Sequence, residues 1–228
     1  MSGAPAADTT AALRSMLASG RSQPVPGVER DELVEAMMEL HDEAVAALVT
    51  RGFPASVGEA TLADIPRKVE TYGDLADDDW LLTVFSGEVV TLGRLQFERG
   101  AEPQGRNLHI PENGPLDPEA VDESLAWAAR TFDDGAPLIC ESWIFDDRLG
   151  GLSASSNLRR FVERFDRTQA APSLDGARDL AKFVFRSTPE RVVAEPLRAQ
   201  ASSVERIAYA ALAGDGVWSK GFGRLLSA

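Results

Sequence analysis

The stretch Asn107-Leu-His-Ile-Pro-Glu-Asn-Gly-Pro-Leu-Asp-Pro-Glu-Ala-Val121 constrains the fold more than any other part of the chain. It reads as a short strand over Leu108–Pro111, a Gly/Pro turn, and a helix with a strong start signal. Asp117 is a good N-cap, and Pro118 suits the first helical position, where a missing N–H costs nothing. Val121, Leu125 and Ala128 then recur at helical spacing, with Trp127 beside them. A strand that turns straight into a helix presents unpaired backbone N–H groups, and such an end can hold an anion such as phosphate. Two readings follow from these residues alone: an ordinary strand-to-helix connection, or a site for a phosphate-bearing ligand.

Helical patterns precede this stretch. Ala11 to Leu17 suits a short helix, followed by the breaker Gln23-Pro-Val-Pro-Gly27. Residues 29–51 read as one amphipathic helix: Leu33, Met37, Leu40, Ala44 and Leu48 line one face, and Asp31, Glu35, Glu39 and Asp42 the other. A third helix within Val57–Tyr72 carries Leu62, Ile65, Val69 and Tyr72. Pro66 moves its regular part to Asp64 onward. An acidic loop, Asp74 to Asp79, closes this part.

Strand patterns follow. Trp80–Phe85, the pair Ser86-Gly87 and Glu88–Glu98 suggest a hairpin. In its second arm Leu95 and Phe97 point one way, and Arg94, Gln96 and Glu98 the other. Further strands are expected at Pro137–Phe145, Ala181–Phe185 and Val217–Leu226, with helices at Asn157–Phe165 and Val204–Leu212. The order is helices first, then β-β-β-α-β-α-β-α-β. The expected fold class is α/β (α+β): a mixed, mostly antiparallel sheet flanked by helices and preceded by a small helical region. No Gly-x-Gly-x-x-Gly follows the first strand, and no phosphate-binding Gly-x-x-x-x-Gly-Lys loop occurs.

Composition narrows the function classes. A formal charge of −13 argues against general nucleic-acid binding, which needs a basic surface. No run approaches a membrane span, and the N-terminus lacks a secretory signal pattern, so no membrane partner is expected. One cysteine, Cys140, excludes an intrachain disulfide and fits a reducing cytoplasm. Two histidines and one cysteine, far apart in sequence, make no zinc set, and no metal is expected.

Four segments carry a resemblance: Leu92-Gly-Arg-Leu-Gln-Phe-Glu98, His109-Ile-Pro-Glu-Asn-Gly-Pro-Leu116, Cys140-Glu-Ser-Trp143, and Ser156-Asn157 with Arg160-Phe161. In this order they resemble the GNAT-like C-terminal domain of a bacterial group of acyltransferase domain-containing proteins. The resemblance covers roughly residues 57 to 226. Three segments are expected: a flexible or partly helical N-terminus over 1–28, a helical subdomain over 29–79 and, as the resemblance implies, a GNAT-like acyltransferase domain over 80–228. The chain departs from the family pattern at Glu141, where that pattern has His. It also lacks the usual GNAT pyrophosphate loop, in whose place stands Pro111-Glu-Asn-Gly-Pro-Leu116.

The resemblance implies N-acyl transfer from an acyl thioester, acetyl-CoA or another acyl-CoA, to a small-molecule amine by direct attack. It puts the pantetheine arm between strands 107–111 and 138–145, and the diphosphate at the helix start after the first. Leu108, Ile110, Asn113, Gly114 and Leu116 would then line the cofactor, with Arg159 and Arg160, beside Arg106, as counter-cations. Such transfer needs a base for the amine, a donor for the oxyanion and an acid for the thiolate. Glu98 is the first candidate for the base; His109, whose class titrates at about 6.5, and a second carboxylate, Glu141, are the others. Ser142 is an acid for the thiolate or a satisfied sheet hydroxyl. Cys140 is a ping-pong nucleophile or a buried thiol. The carboxylates Asp117, Glu119, Asp122 and Glu123 crowd the helix start and oppose a diphosphate there. Three readings stay open: the acyl-CoA enzyme, a non-catalytic GNAT-like binding protein, and an enzyme taking its donor from a carrier protein or an aminoacyl-tRNA. A homodimer is also open.

Overall fold

The computed structural model describes residues 7–226, so the expectations for residues 1–6 lie outside the described residues. The chain divides into two compact units. The first comprises residues up to Ala101 with Leu108–Gly114 and Glu123–Asp134; the second comprises Glu102–Asn107, Pro115–Asp122 and the chain from Gly135 on.

In the first unit, helices α1 (Ala7–Ser19), α2 (Arg30–Glu39), α3 (His41–Thr50), α4 (Ala55–Leu62), α5 (Asp64–Tyr72) and α6 (Asp78–Ser86) surround a core of Leu13, Met16, Leu33, Met37, Leu62, Ile65, Leu81 and Phe85. Removing each such side chain from water stabilises the fold by about 1.5–3 kcal/mol. The single helix expected over 29–51 is two, parted at Leu40, which leaves the helical region at φ −95° and ψ 11°. The expected stripe Leu33, Met37, Leu40, Ala44 and Leu48 is nevertheless buried throughout.

The strand expected at Trp80–Phe85 is a helix. Asp77 caps it by accepting from the N–H groups of Asp79 and Trp80, at 3.0 and 3.3 Å, and Gly87, left-handed at φ 73°, ends it. Leu81, Leu82, Val84 and Phe85 are all buried, so this run is apolar on several sides because it sits inside the helical core. The hairpin therefore moves. Its arms are β1 (Val89–Leu92) and β2 (Leu95–Glu98), with Leu92 opposite Leu95. The two-residue loop Gly93-Arg94 has positive φ only at Gly93, as a type II′ turn requires. A Cβ at Gly93 would also lie 2.8 Å from Ser124 Oγ.

The remaining elements are β3 (Arg106–His109), α7 (Pro118–Thr131), β4 (Leu138–Ser142), α8 (Asn157–Val162), β5 (Phe165–Thr168), α9 (Leu174–Phe185), α10 (Pro189–Ala194), α11 (Ser203–Ala213) and β6 (Gly221–Leu225). The six-stranded sheet runs β1-β2-β3-β4-β6-β5, antiparallel at every pairing but β3–β4. The mixed, mostly antiparallel sheet with flanking and preceding helices is the expected fold class.

In the second unit four expectations shift. The strand from Pro137 stops at Ser142, and Trp143–Phe145 is a turn of 3₁₀ helix. The helix from Asn157 ends at Val162, leaving Phe165 to open β5. Ala181–Phe185 is not a strand but the end of α9, which Ser173 caps at 3.0 Å from Gly176 N. The terminal strand is only Gly221–Leu225. Gly221 and Gly223 leave room for Phe145: a Cβ at either would stand 2.5 or 2.7 Å from it. Phe145 packs edge-on to Phe165 with centroids 5.2 Å apart.

Candidate active site

Two residues expected to compete as the base form a pair. Glu98 ends β2 and His109 ends β3. Gln96 stands opposite His109, so Glu98 is its diagonal neighbour on the same face, within reach of a long side chain. The His109 Nε2 and Glu98 Oε1 lie 3.0 Å apart, both side chains about 30% exposed. An ionised carboxylate only accepts hydrogen bonds. With Glu98 ionised, the ring form that makes this bond carries a hydrogen on Nε2.

The surroundings of this pair come from residues that were not expected at the site. The Trp80 ring meets the His109 ring edge-on, centroids 4.7 Å apart. Gln96 is fully buried, donates to Thr91 Oγ1 at 3.3 Å, and leaves its Oε1 without a hydrogen-bond partner among the described residues. Such a group is destabilising by about 1–3 kcal/mol unless a donor reaches it. Arg94 reaches the carbonyls of Pro111 at 3.0 Å and Gly114 at 2.6 Å. It thereby braces the turn after β3. Burial lowers its pKa, Glu112 opposes that and Arg67 adds to it. Glu112, in that turn, pairs with Lys68 at 2.8 Å and accepts from the Tyr72 hydroxyl.

The other candidates sit as follows. Leu108 is buried opposite Phe97 and serves the core. Ile110 is half-buried, and Asn113 and Gly114 are exposed. In the second unit, Cys140 and Ser142 face Gly223 and Gly221 across β6, and Glu141 faces Phe222 from the opposite side, exposed. Burial, with Glu141 nearby, pushes the Cys140 thiol up to about 12. That leaves almost no thiolate at neutral pH, and the thiolate is the nucleophile. Ser142 Oγ accepts from Ile144 N at 3.4 Å and caps the 3₁₀ turn. Leu116 is half-buried and Arg160 exposed; Arg106 is buried. Arg159 binds Glu163 at 2.8 Å and the Leu152 carbonyl at 2.9 Å.

The start of α7 is filled by its own cap. Asp117 accepts from the N–H groups of Glu119 at 3.1 Å and Ala120 at 3.2 Å, donors a diphosphate would use. Asp122 on the same helix is paired with Arg164, which holds its carboxyl below the usual range. Among the described residues no group of His, Cys, Asp or Glu could hold a metal ion. No helix there is long and apolar enough to cross a membrane.

Comparison with known proteins agrees with this fold. A solved acyltransferase in complex with decanoyl-CoA and teicoplanin is 28% identical, with a TM-score of 0.77 over 96% of this chain and 76% of that one. An acyltransferase in complex with CoA and 10C-teicoplanin matches at 27% identity and a TM-score of 0.76, with the same coverage of both chains. A mutant acyltransferase in complex with octanoyl-CoA matches at 27% identity and 0.71, again over 96% and 76%. No curated protein sequence matches significantly. The model of the GNAT-like C-terminal domain matches residues 89–225. With its sheet in place and its structural neighbours acyltransferases over nearly its whole length, the chain belongs to the GNAT-like C-terminal domain family and is an acyltransferase.

Proposed function

We propose that this acyltransferase moves an acyl group from acyl-CoA to an amine by direct attack, with His109 as the base and Glu98 orienting it. The observation that carries the base assignment is the Glu98–His109 bond at 3.0 Å. The donor is read from the neighbours, which bind decanoyl-CoA, octanoyl-CoA and CoA. One neighbour also binds teicoplanin, and an amine-bearing glycopeptide is the acceptor class we favour. The chemistry is compact. His109 Nδ1 takes the amine proton as nitrogen attacks the thioester carbonyl; the C–N bond forms, the C–S bond breaks, and the CoA thiolate leaves, taking that proton from the imidazolium to become the free thiol. Glu98 holds the ring in one tautomer and stabilises the imidazolium that forms. A covalent intermediate on Cys140 does not suit a thiol held near pKa 12. The Asp117 carboxylate at the α7 start repels a diphosphate and weakens that helix end as an anchor.

The test is free-thiol release from decanoyl-CoA over a panel of amines that includes teicoplanin-type glycopeptides. The reading expects thiol release that depends on an amine and falls in Glu98→Gln and His109→Gln, while both variants still gain thermal stability from acyl-CoA. No release and no stabilisation of the wild type by any acyl-CoA would sink it.

A further inference from the structure

We infer that Trp80 is a positioning residue for His109, and that the buried carboxylate of Asp64 fixes Trp80 in that role. This rests on the reading of His109 as the base. The Trp80 and His109 rings meet at 67° with centroids 4.7 Å apart, a favourable edge-to-face arrangement. The Trp80 indole N–H donates to Asp64 Oδ2 at 3.2 Å. Asp64 opens α5 with no side-chain exposure, and its other oxygen is bound by Arg67. Lys68 Nζ stands 5.9 Å from the Trp80 ring and is itself held by Glu112 at 2.8 Å.

A fully buried carboxylate is costly even when paired, and an apolar residue of similar size would pack α5 against α6 without that cost. What the carboxylate supplies is a fixed direction for the indole N–H, and with it one orientation of the Trp80 ring. Glu98 grips His109 through a single bond at Nε2, which favours one tautomer only while the imidazole stays in place to make that bond. A ring packed against its side holds it there. The helical part of the first unit thus reaches the reaction through Asp64, Trp80 and His109 in turn, without touching the reacting atoms.

The chain has only two histidines, so imidazole nitrogen NMR shows two ring systems. His41, flanked by its own carboxylates Asp42 and Glu59 at 3.4 and 3.2 Å, serves as internal reference. In the wild type His109 shows a single Nε2–H tautomer. In Trp80→Ala that pattern averages toward both tautomers while His41 is unchanged, and Trp80→Phe, which keeps a ring, restores most of it. With decanoyl-CoA as donor, Trp80→Ala lowers kcat by about ten- to a hundredfold at unchanged KM, up to the scale of a misplaced catalytic group. That loss disappears in a His109→Gln background. An unchanged His109 pattern in Trp80→Ala, both histidines moving together, or an equal loss of rate in both backgrounds overturns the inference. Full activity in His109→Gln refutes the base assignment alone, and the imidazole spectra then still decide whether Trp80 orients the ring.

Discussion

Asp146 is the most informative single position for the stability of the second unit. Its side chain is only 4% exposed and receives four donors: Arg148 Nε and Nη2 at 2.9 and 2.8 Å, and the backbone N–H groups of Arg148 and Ser219, each at 2.9 Å. Arg148 in turn lies 4.3 Å over the Trp218 ring and donates to the Val217 carbonyl. The group therefore ties the turn after β4 to the chain entering β6. Removing one partner of a buried ion pair costs about 3–5 kcal/mol. Arg148 is one-third exposed and keeps Asp215 and Val217, and an amide still accepts one or two of the bonds, so Asp146→Asn is expected to cost about 2–3 kcal/mol. Burial alone would raise the Asp146 pKa, but the Arg148 guanidinium and the two N–H groups outweigh it and hold the carboxyl below its usual range. Its contribution is therefore complete above the unfolded value of about 3.9 and fades as pH falls through the lower, folded value. Urea unfolding followed by tryptophan fluorescence, at pH 7 and at pH 3, measures both statements. The variant's midpoint should fall by about 1 M urea at pH 7, and the gap should shrink at pH 3. A gap below about 0.5 kcal/mol at pH 7, or one that persists undiminished at pH 3, refutes the reasoning.

Other consequences are as direct. Gly223→Ala places a Cβ 2.7 Å from Phe145 Cζ and 3.0 Å from Phe165 Cβ, and overpacking of this kind is expected to cost about 1–3 kcal/mol; calorimetry checks it, and an unchanged Tm speaks against the packing argument. Asp117→Asn keeps an N-cap but removes the charge from the α7 start, so KM for acyl-CoA should fall about two- to fivefold. An unchanged KM would show that no diphosphate approaches that helix end. Cys140 should resist iodoacetamide in the folded protein at pH 8 and react fully in urea, as a buried thiol held near 12 must. Rapid labelling of the native protein would reopen covalent catalysis.

The sequence was most readable where local chemistry and packing agree. Asp117-Pro118 announced α7, and the cap bonds are in place. Ser202 with Glu205 forms a capping box at α11, where the Val204–Ala211 spacing pointed. Short apolar runs were ambiguous, as expected when periodicity is the only guide. Trp80–Phe85 and Ala181–Phe185 both carry strand-like composition, yet each belongs to a helix whose cap was present in the sequence: Asp77 for the first and Ser173 for the second. Reading those caps as starts would have corrected both. The break at Leu40 has no such marker, with neither Gly nor Pro beside it. At the site, Glu98 and His109 were legible as separate candidates, but their pairing depends on a two-residue turn at Gly93-Arg94 and the β2–β3 register. Trp80 and Asp64 were not legible there, because their contact with His109 exists only once Trp80 is on a helix.

The central claim is that His109, oriented by Glu98, takes the proton from the attacking amine. It is tested most directly by single-turnover transfer from decanoyl-CoA to an accepted amine, wild type against His109→Gln, with donor affinity measured in parallel. Donor affinity should be unchanged and the transfer rate lowered by about 10²–10⁴-fold, the scale of a lost general base. Transfer at the wild-type rate with His109 removed would contradict it.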